Sequence, residues 1–304
     1  MSNVTRISLI GFGEVGQTLA ADLLARDQCS VCAWDIQFSE GLSIPSRGLR
    51  DIKVRQATDP RDAVAQADLI ISAVTAAEDM KAARSVASHI EPDSYFLDVN
   101  SVSPGMKKQV AQMIAAAGGR YVEAAVMTSV PPHGIRVPML LGGAHAAPAG
   151  KLLRELGFEV EAVSADLGVA SAIKLCRSVI IKGLESLVVE SFTAARSLGV
   201  ERQVLASLKE TYPQFDWEKQ GDYLFSRVIQ HGRRRSEEMR ASAQMIDATA
   251  VAGIMALGAA HRQASVAEAR AAGTFDEPTK LKPWRERADE WGTFLNISKK
   301  GRAS

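Results

Sequence analysis

Neither sign of charge dominates this sequence: 36 lysines and arginines stand against 35 aspartates and glutamates in 304 residues, a net charge of +1. That balance argues against nucleic acid or an anionic membrane as a main partner, because either recruits a basic excess. Histidines are few, and the five present (His89, His133, His145, His231, His261) show no metal-ligand spacing. No metal is expected. Cysteine is scarcer still: the odd set of three, Cys29, Cys32 and Cys176, fits a reducing compartment rather than a disulfide framework. Cys29 and Cys32 have C-x-x-C spacing but lead into an apolar run, where they read as small strand residues. No apolar run reaches the roughly 18 residues of a membrane span. The longest, "ATAVAGIMALGAA", is short and broken by glycine. The beginning, "MSNVTRISLIGFG", enters a strand at once, with no basic segment, apolar stretch and small-residue cleavage site in succession. A cytoplasmic protein without a membrane partner is expected.

What is present is alternation. The chain is 46% hydrophobic and 23% charged, enough for a large core, and its length suits two domains. Strand signals fall on "RISLIGF", "SVCAWD", a weaker "VRQA", "LIISAV", "YFLDVN", "RYVEAAV" and "VPMLLGG". Helical segments run between them over 16–26, 60–66, 80–90 and 104–117, and "LRELGFEVEAV" adds one more helix and strand. Apolar runs without alternation imply strands covered on both faces, hence a mainly parallel sheet. The expectation is an α/β fold: a doubly wound Rossmann-type domain over 1–165, then an all-α domain over 166–304 opened by a long helix.

The first turn carries Gly11-Phe12-Gly13-Glu14-Val15-Gly16, a G-x-G-x-x-G that follows a strand, opens a helix and meets an acid at the end of the next strand. That is the setting a dinucleotide fingerprint requires. Gly11 permits the tight turn, Gly13 lets backbone approach a pyrophosphate, and Gly16 lets helix and strand pack closely. The helix N-terminus offers free N–H groups and partial positive charge to phosphate. Asp35 is placed to accept hydrogen bonds from the adenosine ribose, and its charge disfavours a 2′-phosphate, so NAD is expected over NADP. Arg47, Arg50 and Arg55 follow closely and keep NADP open. Ala73, Val74, Thr75 and Asn100, at the ends of later strands, complete the expected cofactor-binding set.

From Asp166 onward strand signals vanish. A run of about thirty residues reads as one helix, longer than the average of about 11–12, with Gly199 as its C-cap. "ERQVLASLKETYP" and the stretches 221–251 and 251–272 follow as helices, punctuated by Pro213, Gly221 and Gly273. The last stretch, from "DEPTKLKPW" on, reads as a polar tail whose Trp284 and Trp291 pack on something. On the long helix, Lys174, Ser178, Ile181 and Glu185 fall on one stripe, with Lys182 at its edge and Arg177 on the other flank. Two readings stand: a polar cleft, because a buried amine needs a partner, or a solvated face with long stems lying over apolar neighbours. "HGRRRSEEM" likewise reads either as a solvated turn with Arg/Glu pairs or as a source of a cation, His231 or Arg234, for a substrate anion.

"LIGFGEVGQTLAADLL", "LDVNSVSP" and "GVASAIKLCRS" together resemble the β-hydroxyacid dehydrogenase family, which includes 3-hydroxyisobutyrate and 6-phosphogluconate dehydrogenases. The order and spacing agree over the first 190 or so residues. The resemblance implies that Lys174, following Gly168 in a G-x-x-x-x-x-K setting, is the general acid/base beside the nicotinamide, its pKa lowered by apolar walls and by Arg177 and Lys182. The family's D-x-S-T-x-x-P stands here as Asp98-Val99-Asn100-Ser101-Val102-Ser103-Pro104, with Asn100 where a serine touches substrate. Its Gly-rich substrate loop stands as Ala124-Ala125-Val126-Met127-Thr128-Ser129, and the asparagine four residues after the lysine is Ser178. The cofactor machinery is kept and the substrate pocket altered, as in a divergent subfamily with K-x-x-R-S and a following K-G. The implied function is hydride transfer between NAD(P) and a small β-hydroxy acid or related alcohol. The implied substrate contacts are Asn100, Ser101, Thr128, Ser129, Arg177, Ser178 and Lys182, with His133 a further candidate. An imine reductase and a dinucleotide-binding sensor without turnover are the alternatives. The resemblance further implies a homodimer formed through the helical domain.

Overall fold

The structure, a computed structural model, describes residues 5–26 and 28–302, with side chains up to Leu295. The chain divides into two compact units, Met1–Lys174 and Leu175–Ser304. In the first, strands and helices alternate: β1 (Thr5–Ile10), α1 (Glu14–Leu24), β2 (Cys29–Trp34), α2 (Ile44–Asp51), β3 (Arg55–Gln56), α3 (Pro60–Val64), β4 (Leu69–Ser72), α4 (Asp79–Ala87), β5 (Tyr95–Asp98) and α5 (Pro104–Ala116). β6 (Arg120–Val126), α6 (Val130–His133), β7 (Met139–Gly142), α7 (Ala146–Glu155) and β8 (Val160–Ser164) complete it. The eight strands form one sheet in the order β3-β2-β1-β4-β5-β6-β7-β8. Every neighbouring pair is parallel except β6 and β7, which run antiparallel.

Successive strand residues point to opposite faces, and both faces here are dry. Leu9, Ile71 and Leu97 enter one core with Leu19 and Leu23 of α1, while Ile10, Ile70 and Phe96 enter another with Val86 of α4 and Val110 of α5. This is why the strands read as unbroken apolar runs. The strand order reverses between β1 and β4, so a crevice opens beyond their carboxyl ends, the usual ligand position in such sheets. Cys29 and Cys32 are residues of β2 and unpaired.

The helical unit continues α8 (Val169–Leu198) and adds α9 (Glu201–Thr211), α10 (Trp217–Asp247), α11 (Ile254–Ala271) and α12 (Trp284–Arg302). Val188, Phe192, Phe225, Trp284 and Trp291 form its main core. α8 ends at Gly199 (φ +70°), with Val200 N–H reaching back to Ala195 O at 3.0 Å, a Schellman-type cap. Two expectations fail here. Gly221 does not punctuate: it lies inside α10, because a Cβ there would stand 2.7 Å from the Trp284 ring. Its smallness serves packing, not a turn. The closing segment, expected as a tail, is largely the helix α12. No helix among the described residues is long and apolar enough to cross a membrane.

Candidate functional site

β1, β4, β5 and β6 are mutually parallel, so the loops after them leave one edge of the sheet. Those loops carry Gly11–Gly16, Ala73–Thr75, Val99–Ser101 and Met127–Ser129. The first two lie closest: Gly11 adopts φ +96°, and a Cβ on it would stand 2.4 Å from Ala73 O. Gly16 is equally constrained, since a Cβ would stand 2.2 Å from Gly11 O. Gly13 is different. Nothing lies within 4 Å of where its Cβ would be, and as N-cap of the eleven-residue α1 it supplies no side-chain cap. The first N–H groups of α1 therefore face an open place with a glycine at its lip, which fits a dinucleotide pyrophosphate. Phe12 is buried, Val15 half-buried, and Glu14 exposed as the first residue of α1.

Asp35 has work within the protein. Its Oδ2 accepts from Phe12 N–H at 2.7 Å and its Oδ1 from Gln37 N–H at 2.9 Å, tying the glycine turn to the end of β2. Each oxygen keeps a lone pair. Of the nearby arginines, Arg55 is paired with Asp62 at 2.8 Å and Arg50 donates to Gly41 O at 3.1 Å.

Asn100 is buried and braces the loops. Its Oδ1 accepts from Val74 N–H at 2.7 Å, and its Nδ2 donates to Ser72 Oγ at 2.9 Å and Asp79 Oδ1 at 2.6 Å. Both amide hydrogens are thus committed to the framework. Beneath it lies a buried polar network that the sequence reading passed over. Asp98 pairs with Lys107 at 2.8 Å and accepts from Tyr121 OH at 2.7 Å, and all three are buried. Burial and then the Asp98 charge push the Tyr121 phenol well above its ordinary value. Burial and Asp98 likewise raise Asp79 from 3.8 to about 6.

Ser101 meets Lys174: the Lys174 Nζ donates to Ser101 Oγ at 2.6 Å, and the lysine is half-buried. The helix start that carries Lys174 is held by a second missed residue, Glu123 in β6. Its carboxylate is fully buried and accepts from Gly168 N–H and Ser171 N–H, both at 2.6 Å. Two of the donors that a helix N-terminus leaves unmet are satisfied there. The signals were available: Asp98 in "YFLDVN" and Glu123 in "RYVEAAV" are charges inside strands buried on both faces, which such strands tolerate only when paired.

Thr128 and Ser129 are exposed at the same sheet edge. His133 closes α6, and Gly134 behind it lies close to Asp22 of α1, whose carboxylate accepts from Ile135 N–H at 2.6 Å. Arg177, Ser178 and Lys182 belong to the helical unit. There Lys182 Nζ donates to Ser178 Oγ at 2.9 Å and pairs with Glu238 at 3.0 Å, while Glu185 is buried against Arg235. Arg177 is exposed. Ser178, Lys182 and Glu185 turn inward, where α10 answers Lys182 with Glu238 and Glu185 with Arg235.

Comparison with known proteins agrees with this architecture. Residues 6–150 match the NAD binding domain of 6-phosphogluconate dehydrogenase, and residues 195–266 match a domain of unknown function, DUF1932. The chain is 34% identical to a conserved hypothetical protein from Sinorhizobium meliloti 1021, with 95% of this chain and 96% of that one covered and a TM-score of 0.78. It is 31% identical to a conserved protein of unknown function described as structurally similar to 3-hydroxyacid dehydrogenases, covering 88% and 99% of the two chains with a TM-score of 0.70. Mycobacterium tuberculosis 3-hydroxyisobutyrate dehydrogenase shares the fold at 16% identity, a TM-score of 0.71 and coverage of 95% and 99%.

Proposed function

Since the chain belongs to the β-hydroxyacid dehydrogenase family, we propose that it transfers a hydride between NAD(P) and a small β-hydroxy acid or related alcohol, with Lys174 as general acid/base. The observation that carries this reading is the Lys174 amine 2.6 Å from Ser101 Oγ, in the loop that follows β5 at the carboxyl edge of the sheet. Oxidising an alcohol requires a base for the hydroxyl proton as hydride leaves carbon, and reduction requires the same group as acid. A nicotinamide dinucleotide, when bound, supplies the hydride carrier.

The chain's own residues do the rest. The α1 N-terminus, opened by Gly13, holds the pyrophosphate, and Asp35 uses its remaining lone pairs on the ribose, which favours NAD over NADP. Ala73, Val74 and Thr75 line the cofactor, and Asn100 keeps Val74 in place. Ser101, steadied by Lys174, presents its own O–H to the substrate hydroxyl. Thr128 and Ser129 orient the carboxylate.

The test is turnover of a panel of hydroxy acids with NAD and NADP, followed through the reduced nicotinamide. Lys174→Ala is expected to lower kcat by roughly 100- to 10,000-fold, the usual worth of a positioned acid/base, with cofactor affinity retained. Undiminished turnover removes Lys174 from the chemistry. Tight cofactor binding with no turnover of any substrate makes the protein a dinucleotide sensor instead.

A further inference from the structure

α10 carries cations that hydride transfer does not use. On a helix turning about 100° per residue, Arg227, His231, Arg234, Arg235 and Glu238 share one stripe. α8 meets that stripe with Lys182 and Glu185, while from α11 Gln263 donates to Glu185 and Arg270 to backbone carbonyls of α10. Most of these charges are accounted for. Arg235 is buried against Glu185, whose other oxygen accepts from Gln263 Nε2 at 3.1 Å. Glu238 takes Lys182 at 3.0 Å and Arg234 at 3.8 Å. Arg270 Nη1 donates to the Ile229 and Gln230 carbonyls at 3.2 and 2.5 Å.

Arg227 is the exception. Among the described residues no ion pair includes it. Its Nη1 meets His231 Nε2 at 3.0 Å, its Nε is buried without a partner, and its guanidinium lies 6.0 Å from the Tyr223 ring. Five cations (Lys182, Arg227, Arg234, Arg235, Arg270) thus gather around two carboxylates (Glu185, Glu238), in a chain whose whole net charge is only +1. His231 registers the excess: burial, then Arg227, Arg235, Arg234 and Arg270, push its imidazole down to about 4. At neutral pH the ring is neutral. With Nε2 accepting from Arg227, its proton sits on Nδ1 as a donor. A half-buried guanidinium with no carboxylate in ion-pair contact among the described residues, its nearest help the more distant charge of Glu185, stands beside an N–H donor, and an oxyanion completes that constellation.

We propose that Arg227 and His231 form a site for a compact oxyanion, a phosphate or a carboxylate, inside the helical unit. The site is independent of hydride transfer, and its test reads binding alone. Inorganic phosphate and malonate are titrated calorimetrically into the full chain at neutral pH, against chloride of matched ionic strength. Saturable one-to-one binding of at least one of them is expected, distinguishing the phosphate from the carboxylate source. Arg227→Gln is expected to weaken it about tenfold or more, the loss of a charge-assisted bidentate contact. Arg227→Lys keeps the charge without the fork, is the gentler variant for folding, and is expected to bind at an intermediate level. No saturable heat from either anion in the wild type overturns the proposal, and so does unchanged affinity in both variants.

Discussion

Asp79 opens α4 with no exposed surface, and its Oδ2 is buried without a hydrogen-bond partner. Burial and then Asp98 lift its pKa from 3.8 to about 6, against the lowering by Lys107 and by the bond from Asn100. The sign follows from linkage: a carboxyl raised in the folded state binds its proton more tightly there than in the unfolded chain. Its contribution favours folding at low pH, starts to fall above 3.8, and is lost as pH rises through about 6. Asp79→Asn keeps an acceptor for Asn100 and removes the charge. The variant is therefore expected to lose less stability than the wild type between about pH 5 and about pH 8, by ~1–1.5 kcal/mol. Urea unfolding at the two pH values measures it, and parallel losses in both proteins refute it. Nothing in "AAEDMKAA" separates this acid from an ordinary helix start, because its cost comes from burial and then from Asp98, nineteen positions away. Asn100 shows the opposite limit. Motif alignment assigned it to the cofactor and substrate contacts, whereas its hydrogen bonds go to Val74, Ser72 and Asp79, and spacing alone carries no such information.

At the level of elements, the start of α8 depends on a strand. Glu123 of β6 accepts the Gly168 and Ser171 N–H groups, and a Cβ on Gly142 of the neighbouring β7 would stand 2.7 Å from the same carboxylate. The carboxylate is thus held on the strand side and holds the helix on the other, one turn before Lys174. Glu123→Ala strands two buried donors and is expected to cost about 2–4 kcal/mol, while Glu123→Gln keeps one acceptor and costs about 1–2 kcal/mol. If the helix start positions Lys174, Glu123→Gln lowers kcat more than KM and shifts the pH profile, with cofactor affinity unchanged. Loss of stability with an unaltered profile would mark a purely structural cap. The limits of α8 were readable from its length, its apolar periodicity and Gly199. α12 was not, although Trp284, Ala288, Trp291 and Leu295 recur at helical spacing. The charged residues between them outweighed that stripe, and only the partners, Phe192, Phe225 and Gly221, reveal what it packs against. The order of the sheet follows from the βαβ alternation, whereas the reversal of β7 does not, since its short apolar run reads the same in either direction.

For the whole molecule, the open matter is what covers the helical unit. Ile180 is 71% exposed and Leu187 55% on α8, while Ile254 (73%) and Met255 (65%) stand out from α11. The two helices touch, Ser186 Oγ donating to Ala259 O at 3.3 Å and Arg262 pairing with Glu190. Gly183 and Gly258 carry nothing within 4 Å of where a Cβ would be, so another backbone can come close there. Apolar side chains exposed this fully on adjoining helices are what an association surface uses. A second copy is the natural occupant, because a two-fold axis buries the same patch twice and leaves none over. We therefore predict a homodimer at micromolar concentration, with an interface of about 1,200–2,000 Å² or more. Leu187→Arg places a charge in that patch without touching the core, and is expected to give a folded monomer. Light scattering checks the mass and circular dichroism the fold: a wild-type monomer, or a variant that stays dimeric, would show that these side chains face water in solution.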